Sequence, residues 1–283
     1  MNLSSRSEVR RYLKESQLAP KKRFGQNFLV DRHYRTRIIA AASLEPSDHA
    51  WEIGPGLGSL TELILEAVAH LVVFEVDWGL VRHLERTFGS SERVSIVAGD
   101  FRKTWQTVHR DYGPPSVVLG NLPYRLAATM IGDLLEHALP CRRMVFTVQK
   151  EVAARMAAGA GTQDYYSLSV LCKSAANVRP LFDIPPGSFL PVPEVDSTVV
   201  ELSPRQGLQR EWIHGLAHLV RLCFASRRKT LRRNLASAAN PDRYAAAFTA
   251  EGVDLGLRAE ALPPEAFAAV ATRLTGASDQ SDH

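Results

Sequence analysis

The chain has 283 residues, 45% of them hydrophobic and 23% charged, which is the profile of a folded globular protein and excludes disorder as its main state. Its length suits one large domain, or one large and one small. The net charge of +4 is unevenly laid out: residues 1–23 hold +5 and residues 221–233 hold +6, leaving −7 on the rest, a footprint expected of a polyanion binder.

In chain order, residues 1–20 are polar and basic and read as a mobile segment. They lack the apolar core of a signal peptide, and no apolar run approaches the roughly 20 residues a bilayer span needs. A cytoplasmic protein that does not enter membranes is the expectation. Within a domain read as 21–207, short apolar runs alternate with helix-like stretches from His49 to about Lys150: AWEI (50–53), LTELILEAVAHL (60–71), LVVFEVD (71–77), a helix near Gly79–Phe88, RVSIVAGD (93–100), SVVLGN (116–121) and RMVFTVQ (143–149), with DSTVVEL (196–202) one more strand beyond. Alternation of this kind predicts an α/β domain with a doubly wound parallel sheet. SPRQG (203–207) reads as a linker, residues 208–275 as a small all-α domain, and 276–283 as a disordered tail. Cys141, Cys172 and Cys223 are widely spaced and form no zinc pattern, so idle thiols and no bound metal are expected.

Glu52-Ile-Gly-Pro-Gly-Leu-Gly58 joins a strand to a helix. Glycines there let backbone approach a ligand, and the helix start favours negative charge. The spacing is one residue short of the dinucleotide fingerprint, so the turn alone is a weak signal. Glu75 ends the next strand 21 residues after Gly54, where a carboxylate can accept both hydroxyls of a ribose, from NAD or from S-adenosylmethionine alike. Asp77 is its neighbour and rival; register favours Glu75, with Asp77 solvated or capping the next helix. Asp100 ends the following strand and can accept from an adenine amino group, although acids in such places often serve as helix caps.

Strand SVVLG runs into Asn121-Leu122-Pro123-Tyr124. An adenine amino group is a poor nucleophile because its lone pair is delocalised into the ring. The Asn121 amide carbonyl and the Leu122 backbone carbonyl can accept from that amine and favour its nucleophilic form. Pro123 fixes the turn, and Tyr124 offers a face on which an unstacked base can lie. Asn-x-Pro is also a plain turn sequence; its weight comes from following a strand in a fold that already has an adenosine site.

Several motifs stand in order along the chain: KKRFGQNFLVD (21–31), EIGPGLGSLT (52–61), FEVD (74–77), GD (99–100), GNLPY (120–124), QKEVAARMAAG (149–159), IPPGSFLPVPEVDSTVV (184–200) and FASRRKTLRRNL (224–235). Together they resemble the bacterial small-subunit ribosomal RNA adenine dimethyltransferases, the kasugamycin-sensitivity family, over nearly all of residues 20–275. The resemblance implies a Rossmann-like, S-adenosylmethionine-dependent methyltransferase domain followed by the all-α domain, with no metal. It brings Asn27 and Leu29 into the cofactor site beside Gly54, Glu75, Asp100 and Asn121, and places Phe189 where it could sandwich the target base with Tyr124, although taken alone Phe189 also reads as a core residue. The implied reaction places four methyl groups on N6 of two adjacent adenines, in a hairpin loop near the 3′ end of 16S ribosomal RNA within the 30S particle. The implied enzyme has a role in small-subunit biogenesis; oligomeric state stays open, with a monomer the expectation because nothing in the sequence suggests an obligate dimer. One stretch and one single position depart from the family pattern. Arg125-Leu-Ala-Ala-Thr129 replaces a hydroxyl-rich stretch, and Glu194 stands where lysine is common.

RLCFASRRKTLRR (221–233) reads as a basic helix. At helical spacing Arg228 and Arg232 share a face, as do Lys229 and Arg233; with Arg227 they form the expected phosphate-contacting set. Rival readings are a large-subunit (23S) methyltransferase of the macrolide-resistance type, a non-catalytic assembly factor on the same fold and, more distantly, a nicotinamide dehydrogenase, which leaves Asn121–Tyr124 unexplained.

Overall fold

The computed structural model of the chain describes residues 3–18 and 25–276. The expected tail beyond Gly276, and residues 19–24 with the start of the KKRFGQNFLVD motif, lie outside the described residues. The elements run α1 (Arg6–Glu15), β1 (Phe28–Leu29), α2 (Arg32–Ala42), β2 (His49–Ile53), α3 (Thr61–Ala67), β3 (His70–Glu75), α4 (Trp78–Phe88), β4 (Val94–Ala98), α5 (Phe101–Tyr112), β5 (Val117–Asn121), α6 (Ala127–Glu136), β6 (Arg143–Gln149), α7 (Lys150–Ala157), α8 (Ser167–Ala175), β7 (Ala176–Ile184), β8 (Phe189–Leu190), β9 (Ser197–Pro204), α9 (Arg210–Cys223), α10 (Leu231–Leu235), α11 (Pro241–Ala250) and α12 (Pro264–Gly276).

Two compact units result. The first comprises Met1–Met130, Pro140–Ala153 and Arg179–Ser203; the second comprises Ile131–Leu139, Ala154–Val178 and the chain from Pro204 onward. A boundary at 207 alone therefore does not describe the division. In the second unit α8 packs on α9 and α12, which draws residues 154–178 in with the C-terminal helices.

The sheet has seven strands in the order β4-β3-β2-β5-β6-β9-β7. The pairs β3/β4, β2/β3, β2/β5 and β5/β6 are parallel, while β9 runs antiparallel to β6. The strands read as near-continuous apolar runs because helices cover the sheet; Ala50, Leu71, Val73, Val117, Leu119 and Val145 are all buried in one cluster with Ile64 of α3 and Ile38 of α2. The first strand–helix reading is corrected in detail: α3 stops at Ala67, and Leu71 belongs to β3 rather than to the preceding helix.

Two further expectations are overturned. Residues 6–15 are not a mobile segment but an amphipathic helix, capped by Ser5, with Val9 and Leu13 buried against Phe28, Val30, Leu57, Leu80 and Leu190. The basic run 221–233 is not one helix. It breaks after Cys223 and resumes at Leu231, because the buried Asn234 amide serves the open backbone groups: it donates to the Cys223 and Ser226 carbonyls and accepts from the Ser226 N–H. Among the described residues no helix is long and apolar enough to cross a membrane. No group of three or more His, Cys, Asp or Glu there could hold a metal ion.

Candidate functional site

The strand order reverses between β2 and β5, the place where open α/β sheets bind ligands at the carboxyl ends of their strands. Ile53 pairs with Gly120, so the glycine turn after β2 and the tetrapeptide turn after β5 leave the sheet side by side. Between them lies a cavity whose lining includes Asn27, Leu29, Glu52, Gly54, Gly56, Glu75 and Asn121, Leu122, Pro123, Tyr124. Gly54 and Gly56 have φ of +70° and +60°, and a Cβ on Gly56 would lie 2.9 Å from the Phe28 ring. Only glycine fits so tight a left-handed turn against that ring.

Glu75 ends β3 inside the cavity and is 4% exposed. One carboxylate oxygen accepts the Gly56 N–H at 3.2 Å and the other the Asp77 N–H at 2.9 Å. Burial pushes this carboxyl up to about 7, against the pull of those two amides toward the charged form. Asp77 does not line the cavity; it caps α4 by accepting the Gly79 N–H at 2.9 Å. Asp100 is absent from the lining too. It caps α5 and pairs with the Arg102 guanidinium at 2.7 Å, which holds its carboxyl below the usual range.

The Asn121 amide is half spoken for. Its Nδ2 donates to the Asn27 carbonyl at 2.7 Å, whereas its Oδ1 is buried and has no hydrogen-bond partner. A buried carbonyl without a donor is costly to keep, and marks a place where a donor is expected. The next peptide is anchored as the Leu122 N–H donates to the Thr147 carbonyl at 3.1 Å. The Tyr124 hydroxyl bonds that of Ser197 at 2.6 Å, and burial raises its phenol.

Leu29 lies opposite Phe189 in the antiparallel β1–β8 pair. Leu29 reaches the cavity, but Phe189 does not: it is wholly buried in the core cluster with Leu29, Ile38 and Val199. The base-stacking role expected of Phe189 is therefore corrected to a core role, for a phenylalanine with no exposed face cannot stack on a ligand.

In the second unit, Arg228, Lys229, Arg232 and Arg233 are exposed and make no ion pair with a described residue. They sit on a turn and on the short α10, not on the two faces of one helix. Arg227 differs. It pairs with Glu260, donates to the Tyr166 hydroxyl at 2.8 Å and to the Thr162 carbonyl at 3.2 Å, and its guanidinium lies 4.6 Å from the Tyr166 ring centre. A cation so fully engaged holds its own unit together and has little left for phosphate. Arg221, the first cation of the run, is held by Glu136 in the same way.

Two features of the site escaped the sequence reading, one in the cavity and one behind it. Glu52 is 1% exposed, accepts from the Thr61 hydroxyl at 2.6 Å, and is pushed by burial up to about 8. Its signal was a carboxylate inside an otherwise apolar strand, AWEI. Ser197, the partner of Tyr124, gave no local signal, since only the pairing of β6 with β9 brings it there.

A family model described as ribosomal RNA adenine dimethylase matches residues 18–275. The chain is 34% identical over 268 residues to "Ribosomal RNA small subunit methyltransferase A" of Treponema denticola, covering 92% of each. It is 40% identical over 259 residues to the protein of that name from Pseudomonas syringae, covering 90% of this chain and 94% of the other. Among solved structures, a dimethyladenosine transferase from Plasmodium falciparum superposes with a TM-score of 0.69 at 24% identity, over 88% of this chain and 97% of that one, and supports the fold. The 23S rRNA methyltransferase ErmE superposes with a TM-score of 0.59 at 25% identity, over 88% of this chain and all of that one. The fold is thus Rossmann-like, of the methyltransferase kind, and the chain belongs to the ribosomal RNA adenine dimethylase family.

Proposed function

We propose that the chain is an S-adenosylmethionine-dependent ribosomal RNA adenine N6,N6-dimethyltransferase of the small subunit. On this reading it acts as a monomer in the cytoplasm, on two adjacent adenines of a hairpin loop near the 3′ end of 16S RNA in the 30S particle. The observation that carries the reading is the Asn121 Oδ1, buried in the cavity without a donor while Nδ2 is spent on Asn27. An adenine N6 amine is a donor that fits it. The names of the relatives support the small-subunit assignment.

The cavity residues also fit the cofactor. The Glu75 carboxylate takes one amide on each oxygen and keeps lone pairs for ribose hydroxyls. Gly54 has only the Asn121 carbonyl within 4 Å of where a Cβ would stand, so backbone can approach a ligand. S-adenosylmethionine, when bound, supplies an electrophilic methyl group. The protein's part is orientation and electrostatics. As N6 forms its new bond, positive charge builds on that nitrogen, and the Asn121 and Leu122 carbonyls stabilise it. Tyr124 offers its ring to the base, with its hydroxyl fixed by Ser197. Asn27 and Leu29 close the cavity over the cofactor. Asp100 can reach an adenine amino group only by sharing its carboxylate with Arg102.

The test is methyl transfer from labelled cofactor to 30S particles that lack the modification, with 23S RNA alongside. Label on two adjacent adenines of 16S RNA is expected. Label confined to 23S RNA would return the chain to the macrolide-resistance type, and no label with no cofactor binding would favour an assembly factor.

Arg228, Lys229, Arg232 and Arg233 are proposed to grip RNA phosphates. Arg228→Ala with Arg232→Ala is expected to weaken particle binding and lower its salt slope by about 0.7–0.9 per lost contact. Cofactor affinity should stay unchanged. A salt series of particle binding on the double variant checks this, and an unaltered slope would return these residues to a merely solvated surface.

A further inference from the structure

Helix α1 precedes the residues that the family model matches, which begin at 18. Within the first unit its polar contacts nevertheless reach residues that stand behind two sides of the cofactor cavity, next to Leu29 and to Gly56. On one side the Arg6 guanidinium donates to two backbone carbonyls, of Gly187 and, at 2.7 Å, of Phe189. Those carbonyls flank Ser188, whose own carbonyl accepts the Val30 N–H at 3.0 Å, and residues 189–190 pair with 28–29. The strand so held follows Asn27 directly, and the Asn27 carbonyl is what takes the Asn121 Nδ2. On the other side the Tyr12 hydroxyl lies 2.6 Å from His83 Nδ1, while His83 Nε2 lies 3.2 Å from the Leu57 carbonyl in the glycine turn. A carbonyl can only accept, so Nε2 carries the proton and Nδ1 accepts from Tyr12. Val9 and Leu13 seal the helix onto Phe28, Leu57 and Leu190 between these two arms.

We propose that α1 is a brace for the methyl-transfer site, with Arg6 and Tyr12 as positioning residues: Arg6 fixes the strand pair that presents the Asn27 carbonyl to Asn121, and Tyr12 fixes the glycine turn through His83. The Arg6 arm determines which end of the Asn121 amide faces the cavity. With Nδ2 tied to a fixed carbonyl, Oδ1 is left pointing at the substrate side as an acceptor. The Tyr12 arm acts on the cofactor side, because Leu57 lies within the turn whose Gly56 N–H meets Glu75. Packing alone would need no polar contact from α1 to these backbone carbonyls, and the two arms touch different parts of the reaction. The proposal rests on Asn121 as the catalytic amide.

The test uses the full chain with Arg6→Met, Arg6→Lys and Tyr12→Phe, and Asn121→Ala as a control. Steady-state methyl transfer to 30S particles, calorimetric binding of S-adenosylhomocysteine and melting temperature are measured for each. Arg6→Met should lower kcat about tenfold and raise KM for the cofactor by less, since it misplaces Asn121 and reaches the cofactor only through Asn27 and Leu29. Arg6→Lys should recover part of the loss, because an ammonium reaches one of the two carbonyls. Tyr12→Phe should do the opposite, raising KM and the dissociation constant of S-adenosylhomocysteine about three- to tenfold with kcat kept at saturation. The Tyr12 arm is conservative and its binding readout needs no RNA, so it tests the brace even where Arg6→Met folds poorly. Wild-type kinetics in both variants, or kcat and KM moving together in step with melting temperature, would overturn the brace. If Asn121→Ala keeps full turnover, the catalytic reading itself fails. If Asn121→Ala is inactive while Arg6→Met turns over normally, only the brace fails.

Discussion

Asn121→Ala is expected to abolish dimethylation while leaving the fold intact. The substitution removes a buried side-chain carbonyl oxygen that lacks a donor, and with it the proposed acceptor for the substrate amine. Losing one preorganised dipole at a centre of developing charge costs on the order of 10²–10³ in rate. The stability cost is small by comparison. Alanine also gives up the 2.7 Å bond from Nδ2 to Asn27, worth about 0.5–1.5 kcal/mol. It sits at the end of β5, where the ladder to β6 is already made by backbone pairing from Val117 onward. Asn121→Asp makes a sharper companion. It keeps an acceptor but has no N–H for the Asn27 carbonyl, so an anionic oxygen would face that carbonyl and the turn would shift. Both variants should bind particles, and both should fail in a single-turnover methylation assay. A near-normal rate for Asn121→Ala would remove the amide from the mechanism.

Much of the cavity was legible because its parts are local. The turn from Gly54 to Gly58 and the tetrapeptide from Asn121 to Tyr124 each follow a strand, and the chemistry of such turns is written in a few adjacent residues. What a residue's side chain finally touches was less legible. The strand-end position of Asp100 suits a ligand contact and a helix cap equally, and Arg102, two residues on, engages its carboxylate. Phe189 looked like an aromatic platform, but its register with Leu29 directs it into the core. Strand β7 went unread because ANVRPLFDI contains Pro180, which argues against a central strand; it lies at the end of the sheet, where proline is tolerated. Helix α1 was hidden by its charges. Val9 and Leu13 are one turn apart, a pattern visible in RSEVRRYLKE, yet only the apolar surface offered by Phe28, Val30 and Leu190 makes that short stripe worth ordering. The break in 221–233 is also tertiary in origin, since nothing in FASRRKT forbids a helix and the Asn234 amide makes the alternative turn stable.

The second large effect is expected at Glu75, and the contrast with Asp77 defines it. Glu75→Ala should weaken cofactor binding by about 1.5–3 kcal/mol, the cost of a lost charged acceptor for ribose hydroxyls. Asp77→Ala should leave binding nearly unchanged and instead cost stability, about 1 kcal/mol for a lost helix N-cap. The two carboxylates are two residues apart, but one lines the cavity and the other turns to the start of α4. Protonation sharpens the test. In the free protein burial holds the Glu75 carboxyl up at about 7, with the charge of Asp77 adding to the rise. A group raised in the folded state gives stability that is present below its ordinary value near 4.5 and lost as pH climbs through about 7. Bound ribose hydroxyls reverse that preference, because donors favour the ionised form. Binding should therefore release a proton, and affinity should rise between pH 6 and pH 8. Glu75→Gln keeps the shape and cannot titrate, so its weaker binding should lose this pH dependence. Calorimetric titration with S-adenosylhomocysteine at both pH values, in buffers of different ionisation enthalpy, reads affinity and proton release together. Equal losses in Glu75→Ala and Asp77→Ala would place the ribose contact on the wrong carboxylate. A pH dependence surviving in Glu75→Gln would move the proton to Glu52, the other buried carboxyl of the cavity, held up at about 8.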